Sequence, residues 1–272
     1  MSRGVRLVHR FTAVAYLGFG GLLFLAPAWA AERFPWTITP FVAMTIGGWC
    51  LGVTTFSWIG GRHGPLGTML PVLAFVWLFG LSEIVVVFVD KPAFRVDTPL
   101  AVPYILSLAL TLASGGFGLL EIVHRRRAGE PLHGEGPERV TRATTLALAV
   151  VAVALALLAV VVAFADTVGP ATSGKIFPEP VTLFTVRAFA ALNLSMALAA
   201  LVAAIGGSRS ASAWLALAAI FLIAPTLLAA FANLGAFDIG SRPLGVLYVG
   251  GYAVLLALAG AFTWQHRGVL RR

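Results

Sequence analysis

The chain has 272 residues, of which 59% are hydrophobic and only 11% are charged, and its mean hydropathy is +0.93. Soluble domains carry about 25% charged residues, so this composition excludes an ordinary water-soluble fold. The net charge of +8 could suit a nucleic-acid-binding protein, but such a protein needs its cations on a folded, solvated face. The positions of the cations favour a membrane protein that binds no nucleic acid.

Apolar runs of about 20 residues recur from one end of the chain to the other, as they do in helical membrane proteins. In chain order, the hydropathy predicts helices at 11–31, 38–59, 67–89, 99–123, 143–165, 182–205, 212–235 and 244–264. We therefore expect an all-α integral membrane protein with eight transmembrane helices.

The distribution of arginine predicts the orientation. With the amino terminus inside, 13 of the 19 basic residues fall on the cytoplasmic side: Arg3, Arg6, Arg10, Arg62, Arg125, Arg126, Arg127, Arg139, Arg142, Arg209, Arg267, Arg271 and Arg272. The outer segments are nearly neutral, so the positive-inside rule predicts that both termini are cytoplasmic. The chain has 17 arginines and two lysines, which favours a bacterium with a GC-rich genome and hence the bacterial cytoplasmic membrane.

The start of the chain has a second interpretation. A basic opening, an apolar stretch and the small residues Ala28, Ala30 and Ala31 imitate a secretory signal and its cleavage site. The apolar stretch is long for a signal core, so we expect the first helix to be retained. Cleavage would leave seven helices in the same orientation.

An internal repeat relates the two halves of the chain. A shift of 143 places 34–41 (FPWTITPF) on 177–184 (FPEPVTLF), and a shift of 144 places 99–116 on 243–260 with eight of 18 positions identical. Matches of Pro, Phe and Tyr at helix ends are not explained by composition, so they indicate a duplication. Because each unit has four helices, the two units are expected to be parallel repeats about an axis along the membrane normal.

These observations predict three segments. Residues 1–123 form the first four-helix repeat, residues 124–142 a basic cytoplasmic linker, and residues 143–272 the second repeat. The linker begins with His124 followed by Arg125, Arg126 and Arg127, which are candidates for contact with anionic lipid headgroups or a cytoplasmic partner.

Two ionisable residues fall inside predicted helices and are the main candidates for a binding site. A charge at the bilayer centre costs at least about 2.5–3.5 kcal/mol, so Glu83 and Arg187 each need a partner or a watery cavity. Both are predicted in the outer third of the membrane. One hypothesis is an ion pair between them beside an outward-facing cavity. The alternative is that Arg187 reaches the outer headgroups while Glu83 stays protonated against a neighbouring hydroxyl or backbone group.

Asn193 and Ser195 follow Arg187 on the same helix and are further candidate binding residues. Hydrogen bonds to another helix would also explain them. Aromatic residues near helix ends, namely Trp29, Trp36, Trp58, Tyr104, Tyr248 and Trp264, are expected to anchor the helices at the headgroup level.

The sequence contains no recognisable catalytic, metal or cofactor motif. The single cysteine, Cys50, excludes an intramolecular disulfide, and all five histidines fall at predicted cytoplasmic ends or in the linker, so neither haem nor a metal is expected. We therefore expect no cofactor, and membrane lipids, a membrane-protein partner or a second copy as partners. Three functions stay open: a protein that binds a lipid, hydrophobic ligand or subunit; a transporter or channel; and an enzyme acting on a quinone or lipid.

Overall fold

A computed structural model of the chain describes residues 1–62, 66–129, 139–164 and 177–270. Within these ranges the regular secondary structure is helical, apart from a single isolated bridge between Arg139 and Ser208. His63, Asp166, Lys175, Arg271, Arg272 and residues 130–138 of the predicted linker, with His133, lie outside the described residues.

Eight helices are long and apolar enough to cross a membrane. They are α1 (Arg3–Leu25), α3 (Pro40–Gly60), α4 (Leu66–Val89), α5 (Ala101–Arg127), α6 (Arg142–Ala163), α7 (Leu183–Gly206), α8 (Arg209–Ala232) and α9 (Gly245–Gln265). Two short helices, α2 (Pro27–Arg33) and α10 (Arg267–Leu270), follow α1 and α9. The prediction of an all-helical chain with eight potential transmembrane helices is confirmed, and the architecture is that of a multi-pass membrane protein.

Besides α1, which Ser2 caps in the same way, four of these helices begin at a hydroxyl side chain that accepts a hydrogen bond from the backbone three residues on. Thr39 caps α3, Thr141 caps α6, Thr182 caps α7 and Ser208 caps α8. Each cap satisfies one of the backbone N–H groups left free in the first turn. Gly207, with φ +60°, ends α7 in the left-handed conformation that glycine adopts without strain.

The first helix lies earlier in the chain than the predicted 11–31. Ser2 caps α1, which ends at Leu25, and Pro27 begins the separate helix α2. Proline is favoured in the first turn of a helix but interrupts a continuing one. As a consequence His9, predicted at a cytoplasmic end, is a fully buried residue of α1.

Helices α3, α4, α7 and α8 form the centre of the bundle. Helices α1 and α5 flank them in the first half of the chain, and α6 and α9 flank them in the second half. In the first half α1 packs against α3 and α5 against α4; in the second half α6 packs against α7 and α9 against α8. The halves meet where α3 packs against α8 and α4 against α7. Helices α3 and α7 are therefore the most buried, while α6 and α9 are the most exposed.

Hydrogen bonds identify which helix ends lie together. The backbone N–H of Ser2 donates to Glu121 at 2.8 Å, so the start of α1 lies beside the end of α5. Arg209 donates to His266 at 2.7 Å, so the start of α8 lies beside the end of α9. We call this the arginine-rich end. At the opposite end the Arg95 amide donates to the Pro35 carbonyl at 2.6 Å.

Several local contacts recur in the two halves at a displacement of 143 residues. The Asp238 amide donates to the Pro178 carbonyl at 3.1 Å, as the Arg95 amide does to Pro35. Short 3-10 turns occupy Lys91–Ala93 and Leu234–Ala236, and Thr39 and Thr182 are both helix caps. These are positions that the sequence shift of 143 aligns.

Small residues allow the two halves to approach closely. A Cβ atom added to Gly52 would lie 2.5 Å from the Leu222 Cβ, and one added to Gly48 would lie 2.9 Å from the Thr226 nitrogen. Both glycines belong to α3 and both neighbours belong to α8, so the absence of side chains brings the two backbones together.

Three aromatic residues predicted as membrane anchors are instead core residues. Trp36 is 1% exposed and stacks on Phe184 with ring centroids 3.9 Å apart, while Tyr104 and Tyr248 are also buried. The segments before α3 and α7 fold into the bundle. The aromatic rings near these helix ends therefore pack between the two halves. Trp29, Trp58 and Trp264 are exposed, as an anchoring role requires.

Candidate functional site

Glu83 lies on α4 in the interior of the helix bundle. Its side chain is 2% exposed, and its Oε2 atom accepts a hydrogen bond from the Tyr104 hydroxyl of α5 at 2.9 Å. A buried carboxyl needs such a donor because burial without one costs several kcal/mol. Of the two partners that the sequence left open for Glu83, the neighbouring hydroxyl is the one observed.

A second buried hydroxyl pair lies next to this contact. Thr111 donates to the Tyr16 hydroxyl at 2.8 Å and joins α5 to α1. Glu83, Tyr104 and Tyr16, with Trp36 and Trp49 among other residues, line a cavity of about 20 Å³. That volume admits about one water molecule, so the polar centre is closely packed and has no room for a larger ligand.

Arg187 does not contact Glu83, and the hypothesis of an ion pair between them is wrong. Its Nη1 atom instead forms a short ion pair with Asp90, the residue that follows α4. The Arg187 side chain is 24% exposed and the Asp90 side chain 11% exposed. Arg187 lies in the first turns of α7, which are level with the end of α4 and therefore with Asp90. Glu83 lies two turns of α4 deeper in the bundle than Asp90.

The opposite junction of the halves contains an uncharged counterpart of this pair. Asn233, which follows α8, donates to the Met44 sulfur of α3 at 3.5 Å and to the Ala229 carbonyl at 2.8 Å. A shift of 143 places Asp90 on Asn233 and Met44 on Arg187. The same two positions are therefore in contact at both junctions, once as an ion pair and once as a neutral pair.

The segments before α3 and α7 also cross between the halves. Trp36 donates to the Thr185 hydroxyl of α7 at 3.0 Å, and Glu179 accepts a short hydrogen bond from Thr39, the cap of α3. Burial raises the pKa of the Glu179 carboxyl, an effect opposed by the Thr39 hydrogen bond and by Arg242. These contacts link the two halves at the end of the bundle opposite the arginine-rich end.

Asn193 and Ser195 are buried on α7 but do not bond to another helix. The Asn193 amide donates to the Phe189 carbonyl at 2.8 Å, and the Ser195 hydroxyl donates to the Ala191 carbonyl at 2.7 Å. The expectation of hydrogen bonds between helices is wrong here, because a carbonyl one turn back on the same helix is always within reach. Neither residue lines the cavity beside Glu83.

The three consecutive arginines at the end of α5 have different surroundings. Arg125 pairs with Glu121 at 2.9 Å, one turn earlier on the helix. Arg126 lines a cleft of about 230 Å³ between the halves at the arginine-rich end, and Arg127 is exposed. Within the described residues, no group of His, Cys, Asp and Glu side chains could hold a metal ion.

The second half contains a large apolar groove that the sequence did not predict. Its volume is about 380 Å³. It is lined by Ala143, Thr144, Ala147, Leu148, Val151 and Leu155 of α6, Met196 and Ala200 of α7, Ser212, Leu215, Ala216, Ala219 and Ile223 of α8, and Leu255, Leu258, Ala259, Ala261, Phe262 and Gln265 of α9. We call it the α6–α9 groove.

The groove lies where two neighbouring helices do not pack together. Helix α1 packs against α5, whereas α6 and α9 make at most a slight contact. Both helices carry exposed apolar side chains, including Leu146 and Val150 on α6 and Val254 on α9. In a membrane this gap would open sideways to lipid.

Comparison of the chain with protein-family models, with curated proteins and with solved structures gave no match in any of the three. The function is therefore inferred from the chemistry of the cavities and side chains described above.

The Tyr104 hydroxyl is expected to stabilise the fold through Glu83. Tyr104→Phe removes that donor and should lower the free energy of unfolding by about 2 kcal/mol, because the carboxyl is left buried without it. Unfolding in mixed detergent micelles would measure the change. In a Glu83→Leu background the same substitution should have little effect. An equal loss in both backgrounds would show that the hydrogen bond is not the cause.

Proposed function

We propose that this is a noncatalytic multi-pass protein of the bacterial cytoplasmic membrane that binds a lipid or another small hydrophobic ligand. The α6–α9 groove carries the proposal. Small-molecule sites have volumes of about 300–1,000 Å³ and apolar walls with a few polar groups. The groove has a volume of about 380 Å³ and apolar walls, with Thr144, Ser212 and Gln265 as its polar residues.

The groove supports this function better than the polar centre does. The cavity beside Glu83 has a volume of about 20 Å³ and is enclosed by aromatic side chains. Arg187, which a solute site beside Glu83 would need, is engaged by Asp90 at the junction of α4 and α7. A ligand that enters from the bilayer can reach the groove without any rearrangement of the bundle.

The orientation and the duplication are part of the proposal. Both termini are cytoplasmic, because the arginine-rich end contains most of the chain's cations. The halves are parallel four-helix repeats, which is supported by the matching 3-10 turns, caps and Pro35 and Pro178 contacts. The groove is then a feature that one repeat has and the other lacks, as expected when one copy acquires a separate role.

Retention of a ligand through purification tests the proposal. Native mass spectrometry of the detergent-solubilised protein should find one retained hydrophobic molecule, and fragmentation would identify its class. Ala259→Phe places a large side chain in the groove and should reduce the bound fraction by at least about tenfold, or about 1.4 kcal/mol.

Ala257→Phe is the matched control. Ala257 lies two residues away on α9, is exposed, and is absent from the groove lining. This variant should retain the ligand as the unmodified protein does, and both variants should have similar melting temperatures. Equal retention by the two variants would contradict the proposal.

A further inference from the structure

The groove reaches from the arginine-rich end to about the middle of the helix bundle. Its lining on α6 runs from Ala143 to Leu155, about 18 Å at 1.5 Å per residue. On α8 it runs from Ser212 to Ile223, about 17 Å. One leaflet of a bilayer contributes about 15 Å of hydrocarbon, so the groove matches the depth of a single leaflet.

Each helix that forms an end of the groove has an arginine within one turn of it. Arg142 directly precedes Ala143 on α6, Arg209 lies three residues before Ser212 on α8, and Arg267 lies two residues after Gln265 of α9. We call Arg142, Arg209 and Arg267 the mouth arginines. No acidic residue occurs in α6, α7, α8 or α9. Three arginines therefore lie within one turn of the apolar groove, at the ends of helices that contain no carboxylate.

Contacts at the mouth hold two of these side chains in place. Arg209 donates from Nε to the His266 Nδ1 atom at 2.7 Å, which joins the start of α8 to the end of α9. The Arg267 guanidinium lies over the Trp264 ring, 4.4 Å from its centroid. Trp264 is 71% exposed, and an exposed indole at a helix end is typical of the headgroup level.

From this arrangement we infer that the occupant of the α6–α9 groove is an anionic phospholipid of the leaflet at the arginine-rich end. One acyl chain lies between α6 and α9, and the mouth arginines bind the headgroup phosphate. Guanidinium groups bind phosphate oxygens through charge-assisted hydrogen bonds that are about twice as strong as neutral ones. This inference rests on the proposed function and adds the chemical class of the ligand and its leaflet.

Two lipids with identical chains separate headgroup recognition from occupation of the groove. Delipidated full-length protein would be titrated with dioleoylphosphatidylglycerol and with dioleoylphosphatidylcholine and followed by native mass spectrometry. We expect the phosphatidylglycerol to bind at least about tenfold more tightly at low salt. The preference should fall when the salt is raised from 0.05 M to about 0.5 M, because the mouth arginines are partly exposed and salt screens them.

Arg142→Gln is the informative variant, because Arg142 is an exposed residue in the first turn of α6. It should reduce the preference for phosphatidylglycerol severalfold and leave phosphatidylcholine binding unchanged. Arg127→Gln is the matched control: Arg127 is exposed at the same end, on α5, away from the groove. That variant should retain the full preference.

The possible outcomes test recognition of the headgroup separately from binding of a hydrophobic ligand in the groove. Equal binding of both lipids, abolished by Ala259→Phe, would overturn headgroup recognition and leave the groove as a site for any acyl chain. Binding that Ala259→Phe does not change would contradict the proposed function as well. A dimer that dissociates in Ala259→Phe would show that a second copy of the chain fills the groove, and the lipid inference would be overturned.

Discussion

Asp90→Asn and Arg187→Met should each destabilise the protein, whereas the double variant should be close to the unmodified protein. Arg187→Met leaves the Asp90 carboxylate, only 11% exposed, without its cation and should cost about 3 kcal/mol. Asp90→Asn should cost somewhat less, about 2 kcal/mol, because the more exposed Arg187 can extend toward the headgroups. The double variant removes both charges and should cost less than about 1 kcal/mol.

The chain itself supports the last expectation. Asn233 and Met44 occupy the corresponding positions at the other junction and are in contact at 3.5 Å. An Asn and Met pair can therefore be accommodated by this arrangement of helices. Unfolding of all four proteins in mixed micelles gives the coupling energy of the pair. Additive losses in the double variant would show that the ion pair does not link α4 to α7.

Gly52→Val should be the most damaging single substitution of a small residue at the junction of α3 and α8. The new Cβ would meet the Leu222 Cβ at 2.5 Å and its Cα at 2.7 Å, so a backbone has to move. Forcing additional carbon atoms into a packed contact costs about 1–3 kcal/mol, and the upper end applies here because backbone is involved. A lower melting temperature and a lower folded yield would measure the loss.

Gly251→Val is the control for the Gly52 substitution. Gly251 lies on α9 and has no atoms within 4 Å of an added Cβ. Gly251→Val therefore changes the helix propensity as Gly52→Val does, but its side chain collides with no neighbouring atom. The melting temperature of this variant should change little. If both variants were equally destabilised, the cause would be the loss of glycine from a helix, and the close approach of α3 to α8 would not be needed to explain it.

Much of the fold could be predicted because each long helix has a continuous apolar stretch and a clear polar boundary. Hydropathy located all eight helices. The first boundary was wrong because the cap at Ser2 and the break at Pro27 outweigh a smooth hydropathy profile. Trp36, Tyr104 and Tyr248 were misplaced because proximity to a helix end does not reveal whether the end faces lipid or protein.

The site was harder to predict, because it depends on which helices touch. Glu83 and Arg187 were correctly recognised as residues that need partners, but the partners, Tyr104 and Asp90, depend on side-chain depth to within one turn. The groove could not be located from the sequence, since it arises where α6 does not pack against α9. One signal was present: α6 is the most hydrophobic of the eight long helices, which is typical of a helix that faces lipid on most sides.

The central claim is that the α6–α9 groove holds a membrane lipid, and a high-resolution structure in lipid nanodiscs tests it most directly. The nanodiscs would contain a mixture of phosphatidylglycerol and phosphatidylcholine. The account predicts elongated density along Val151, Ala216 and Ala259, continuous with a phosphate-sized feature beside Arg142. A groove closed by direct packing of α6 on α9, with no room for an acyl chain, would contradict it.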